Sequence, residues 1–220
     1  MSWRKPFQSE WMLLRANWGV WVLPWIFFGL VTTVMLFALG PFEPELARFV
    51  PRILLIVALL SLFMQTDPLF KTEGERGVLE QYALAPQGWT LWLWARLLLT
   101  GTLLVLPLIL WASLAAWLAQ VPGPVIQALI LGLALGMPSL FLMTALAGAL
   151  TLALPQAGLL NAVILLPLYL PALLLMETMI LRAQWGEPTL AFAGWLLLLF
   201  LGTVLILPWV ILRCLRLSLR

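Results

Sequence analysis

The 220-residue sequence has no histidine and a single cysteine, Cys214. An intrachain disulfide is therefore impossible, and a zinc site of the usual Cys/His kind cannot be built. Histidine ligation of haem and histidine-based proton relays are excluded on the same ground. Cys214 stands beside Arg213 and Arg216 and reads as an interfacial residue. Charge is equally scarce, at 10% of residues, where soluble domains carry about 25%. Hydrophobic residues make up 64% and mean hydropathy is +1.07, which argues against a water-soluble fold. No GxxxxGK[ST] phosphate loop, no GxSxG elbow and no HExxH motif is present. This chain is thus expected to carry no catalytic residue, no metal site and no cofactor of its own.

The net charge of +3 and pI near 9.6 do not point to nucleic acid, because the basic residues are scattered among flanks and loops. Their placement reads as membrane topology. The ruler for such a chain is about 20 apolar residues per crossing of a roughly 30 Å hydrocarbon core. Six apolar segments meet it or come near it, at about 18–39, 53–65 (extended back towards 47), 90–118, 125–154, 159–181 and 189–212. The expectation is an all-α membrane protein, a single polytopic unit over 1–220 that crosses the lipid bilayer about six times.

Orientation follows from Lys and Arg in the flanks. With the N-terminus in the cytoplasm, that side holds Arg4, Lys5, Arg15, Lys71, Arg76, Arg96, Arg213, Arg216 and Arg220, and the outer side only Arg48, Arg52 and Arg182. Nine against three is a clear positive-inside bias, and both termini are expected in the cytoplasm. Residues 1–17 do not read as a cleavable signal, because Glu10 and Arg15 interrupt the apolar stretch. They read as an amphipathic interfacial helix, with Trp3, Phe7, Trp11 and Leu14 on one face and Arg4, Gln8 and Arg15 away from it. Trp89, Trp92 and Trp94, like Trp185 and Trp195, read as interfacial anchors; a tryptophan platform for cargo is the other reading.

Pro107, Pro138, Pro167 and Pro171, with Pro208, stand inside the spans and are expected to kink their helices. Gly132 and Gly136 form a GxxxG pair, which lets two helix backbones approach closely. The contact is either between two copies of the chain or within one. Charged groups lie near span ends: Asp67, Arg96, Glu177 and Arg182, the last two spaced for an ion pair. Polar groups deeper in the spans are mild, namely Asn161, Ser113, Ser139 and Thr144. This argues against a proton- or sodium-coupled carrier, whose ionisable groups sit at mid-bilayer.

The longest polar stretch is the cytoplasmic loop 67–88, DPLFKTEGERGVLEQYALAPQG. Gly77 supplies a turn, Val78, Leu79 and Tyr82 share one side of a short helix, and Pro86 ends it. About two helical turns are marginal alone and need a surface to dock on. Its apolar patch, edged by Glu75, Glu80 and Gln81, suits a groove on a soluble partner as well as it suits the lipid surface.

That loop resembles the coupling segment of ABC-2-type exporter permeases, in which a Gly-x-Leu-Glu stretch followed by a proline lies between the second and third spans. Gly77, Leu79, Glu80 and Pro86 occupy those places here. The chain as a whole is similar to the cytochrome c maturation haem exporter B family (CcmB). The similarity rests on LGPFEPELARFVPRILLIVALLSLF, GVLEQ, GMPSL and LLPLYLPALLL, in order across nearly the whole sequence. The resemblance implies a short coupling helix, with Glu75, Gly77, Val78, Leu79, Glu80, Gln81, Tyr82 and Pro86 docking on a separate ABC ATPase subunit that holds ATP and Mg. It implies two copies of this chain in a bacterial inner membrane. It also implies a tryptophan-rich haem-handling membrane protein, a small membrane subunit and a periplasmic haem chaperone as partners, with haem as possible cargo. Two other readings stay open, an exporter permease for another amphipathic or lipidic substrate and a membrane scaffold that transports nothing.

Overall fold

The computed structural model describes residues 10–15, 17–39, 46–75, 86–154, 157–218. Every regular element among them is an α-helix. A short helix over 10–15, α1, is followed by α2 (Trp18–Leu39), α3 (Leu46–Phe63) and α4 (Pro68–Glu75). Then come α5 (Pro86–Leu118), α6 (Gly123–Leu150), α7 (Gly158–Gln184) and α8 (Leu190–Ser218). Six of these helices are long and apolar enough to cross a membrane: α2, α3, α5, α6, α7 and α8. The protein is a multi-pass, all-helical membrane protein.

Helix α6 is the central element. It packs against α3, α4, α5, α7 and α8, and 61% of its spanning stretch is buried, against 22% for α2 and α8. Its sequence explains this position. Gly132, Gly136, Gly148 and a run of alanines present little side-chain bulk, so neighbouring backbones approach closely. Pro86 opens α5 and Pro122 precedes α6, where a missing backbone N–H is harmless. Pro107, Pro138, Pro167 and Pro171 lie inside helices that continue through them.

Three tiers of contact join α6 to α7. At one end Gly132 and Gly136 face Met176. In the middle the Thr144 hydroxyl and the Tyr169 phenol bond one another, both buried. At the end near residue 150, Thr151 donates to Asn161 Oδ1 at 2.8 Å. The GxxxG pair thus meets a methionine of the same chain.

Two expectations about side-chain placement fail. Glu177 and Arg182 are not partners: Arg52 lies 3.9 Å from Glu177, and Arg182 bonds Glu187 at 2.8 Å. Five residues along a helix turn the chain about 140° away, onto another face. Trp89 and Trp92 are not interfacial anchors either. Both are buried, whereas Trp18, Trp185 and Trp195 are exposed as a membrane belt requires.

Candidate functional site: a buried junction at the root of the loop

Asp67 and Pro86 bracket the loop that the sequence marks as the coupling segment. Of its named residues, Gly77, Val78, Leu79, Glu80, Gln81 and Tyr82 lie outside the described residues, whereas Glu75 ends α4 and Pro86 opens α5. What the structure describes is how the two roots of that loop are held.

Arg96 stands nearly three turns into α5, about 10 Å past Trp89 at 1.5 Å per residue. It is the only charged residue of that helix. Its side chain is fully enclosed, and so is that of Glu10 on α1, with relative exposures of 1% and 0%. Arg96 Nη1 donates to Glu10 Oε2 at 2.9 Å and Nη2 donates to the Leu69 carbonyl of α4 at 2.9 Å. The planar guanidinium fork makes both bonds at once, which an ammonium could not do in this geometry. The other Glu10 oxygen accepts from Trp92 Nε1 at 2.6 Å.

Aromatic rings close the site. The Arg96 guanidinium lies 5.3 Å from the ring centre of Trp21 on α2, a cation–π contact strengthened by exclusion of water. Trp92 meets Trp89 edge-on at 6.0 Å and Phe70 of α4 at 6.5 Å. Beside them Gln65 Nε2, just past α3, donates to the Val20 carbonyl of α2 at 2.9 Å. Four helices, α1, α2, α4 and α5, therefore meet at one ion pair. Removing one member of such a buried pair costs about 3–5 kcal/mol, because the other charge is stranded away from water.

A second polar node holds the turn between α3 and α4 against the centre of the bundle. Asn161 Nδ2 of α7 donates to Asp67 Oδ1 at 2.6 Å, and Thr151 bonds both Asn161 Oδ1 and the Ala147 carbonyl. Next to it Gly148 of α6 lies so close to the Thr66 carbonyl that an added Cβ would overlap it. So α4 is fastened on one flank to α1 and α5, and at its start to α6 and α7.

Sequence reasoning placed Asp67, Arg96 and Asn161 but missed their partners. Glu10 was read only as a break in an apolar stretch. The available signal was Arg96 itself, a lone charge two turns inside a span, which requires a buried counter-charge.

Elsewhere an apolar groove of about 370 Å³ opens between α5, α6 and α8. Trp94, Gly101 and Val105 line one wall, Pro138 and Phe141 the second, and Phe200 the third. Among the described residues, no charged side chain lines it. Among the described residues no cluster of acidic or cysteine side chains could hold a metal ion.

The sequence matches the CcmB protein family over residues 8–218. Heme exporter protein B of Rhodobacter capsulatus is 33% identical over 217 residues, covering 95% of this chain and 95% of that relative. The protein of the same name from Pseudomonas aeruginosa is 32% identical over 195 residues, 89% of this chain and 87% of the relative. The one from Paracoccus denitrificans is 33% identical over 198 residues, 88% and 89%. The family match runs through every helix from α1 to α8, the buried junction included, and the chain belongs to the CcmB protein family.

Proposed function

We propose that this chain is the membrane permease subunit of an ABC transporter acting in cytochrome c maturation, in a bacterial inner membrane with both termini cytoplasmic. A separate ATPase subunit binds ATP and Mg and docks on the segment around Gly77–Pro86. Its movements rearrange the spans, and the output is export of haem or release of a haem-loaded periplasmic chaperone. The tryptophan-rich haem protein and the small membrane subunit are its neighbours, and two copies of the chain form the pathway. Relatives named heme exporter protein B support the cargo.

The observation that carries the reading is the bond from Arg96 to the Leu69 carbonyl. It ties together the two helices from which the loop 76–85 departs, so a push on that loop is delivered to α4 and α5 as a unit. Such coupling is bounded by the difference in partner contacts between the two states. Without histidine the chain offers no imidazole for haem iron, which suits a mechanical subunit. Glu80→Lys and Gly77→Pro are expected to insert normally yet to uncouple ATP hydrolysis from cytochrome c maturation. Full maturation with both substitutions overturns the proposal.

The groove between α5, α6 and α8 favours a second reading, in which the cargo is lipidic. An uncharged wall at membrane depth suits hydrocarbon and offers haem propionates no cation. Normal cytochrome c levels in a deletion strain would select that reading.

A further inference from the structure

The Glu10–Arg96 pair has a role that loop docking alone does not require. Loop docking needs α4 and α5, which the Leu69–Arg96 bond already joins. The same guanidinium also reaches Glu10, 86 positions earlier in the chain, on a helix that takes no part in the loop. Burying an ion pair is an inefficient way to stabilise a fold, because desolvation offsets most of the attraction. Its specific property is geometric: a fork with one partner on each prong holds α1, α4 and α5 in a single arrangement. Trp92, one turn before Arg96, bonds the free carboxylate oxygen and removes the remaining freedom of Glu10.

The surroundings are less tightly bound. Gln65 Oε1 and Trp89 Nε1 are buried without a hydrogen-bond partner among the described residues. Trp89 meets Trp92 edge-on, and Gln65 bonds the residue before Trp21. An unused acceptor and an unused donor are groups that a rearranged packing can satisfy. The pair is thus the fixed part of the junction, and the packing around it is the part with an alternative.

We propose that Glu10 is a positioning residue for coupling: through Arg96 it makes the N-terminal helix move as one body with α4 and α5. The stroke delivered at loop 76–85 then reaches the lipid interface as a displacement of α1. This rests on the coupling reading above.

The test uses the full transporter complex in a Cys214→Ser background, which leaves the chain without cysteine. Spin labels go to Met12 on α1 and Leu110 on α5, both exposed, and in a second sample to Met12 and Leu159 at the start of α7. Distances are recorded without nucleotide and with ATP trapped by vanadate. The expected result is a narrow Met12–Leu110 distance that ATP does not change and a Met12–Leu159 distance that it shifts. In the paired variant Glu10→Leu/Arg96→Met, an apolar replacement that keeps the fold, the Met12–Leu110 distance is expected to broaden. Holocytochrome c formed per ATP hydrolysed is expected to fall by between about 5- and 150-fold, the usual range of an intersite coupling. Arg96→Lys keeps the charge but not the fork, and is expected to insert and to lose coupling in part.

A Met12–Leu110 distance that changes with ATP in the unaltered protein overturns the proposal while leaving loop coupling intact. So does the paired variant with an unchanged yield per ATP. If neither distance responds to ATP, the coupling reading itself fails and this inference falls with it.

Discussion

Gly148 offers a sharp test of the packing at the base of α4. A Cβ added there would overlap the Thr66 carbonyl oxygen and would also lie 3.4 Å from the Thr66 carbonyl carbon and 3.7 Å from Phe70. The obstacle is backbone. It is held by its own turn, with Thr66 N bonded to the Phe63 carbonyl at 3.1 Å and Leu69 N to the Gln65 carbonyl at 3.2 Å. Gly136 makes an informative contrast. A Cβ there would meet Met176 Sδ, an atom of an unbranched side chain that can swing aside. Overpacking costs about 1–3 kcal/mol, and the fixed carbonyl puts Gly148→Ala near the upper end. The better helix propensity of alanine returns up to about 1 kcal/mol in either case. The net expectation is about 2 kcal/mol of destabilisation for Gly148→Ala and about zero for Gly136→Ala. Gly194→Ala in α8, with open space around the added Cβ, shows the propensity gain alone and serves as the reference. The assay is thermal loss of the monodisperse peak in detergent, measured for the three variants side by side. A further arm asks whether Met176→Ala rescues Gly136→Val. Equal stability of Gly148→Ala and the parent protein would refute the reasoning, as would failure of that rescue.

Asn161→Ala removes the side chain between Thr151 and Asp67. It is expected to lower stability by about 1–3 kcal/mol, because it leaves buried polar atoms without partners; thermal unfolding in detergent checks this. A double-mutant cycle with Thr144→Val and Tyr169→Phe is expected to give a coupling energy of about 0.6–1.7 kcal/mol, the range for hydrogen bonds between membrane helices. Steric-trap unfolding measures it, and a coupling of zero would show that the two hydroxyls contribute independently.

The helical architecture was legible because a bilayer imposes a simple constraint. Each crossing must satisfy its backbone internally and hide its polar atoms, so apolar length alone marks the spans. The six helices fall where hydropathy puts them, and the main differences are at ends, as where 151–154 leaves the fourth span for a turn. The buried junction was not legible in the same way. Arg96 and Glu10 are each close enough to a span end to pass for interfacial charges, and only the folded chain brings them within 2.9 Å. Trp89 and Trp92 illustrate the same ambiguity. A tryptophan near a membrane boundary suits the headgroup layer or a dry pocket equally well, and the neighbours decide. Glu177 and Arg182 failed for a local reason, since their spacing turns them apart and nearer partners exist.

Chain order at the junction has a consequence for biosynthesis. The seam between α6 and α7 joins helices adjacent in sequence, so it can zip shut as a hairpin soon after both emerge. The Glu10 carboxylate has a different history. It is made 86 residues before its guanidinium partner. Burying that carboxylate before its partner exists would carry the cost of an unpaired charge. Only when the third crossing is threaded does Arg96 arrive to draw it in. Closure of the pair therefore requires that all the chain between the two residues has already been made, a condition set by the position of a single arginine.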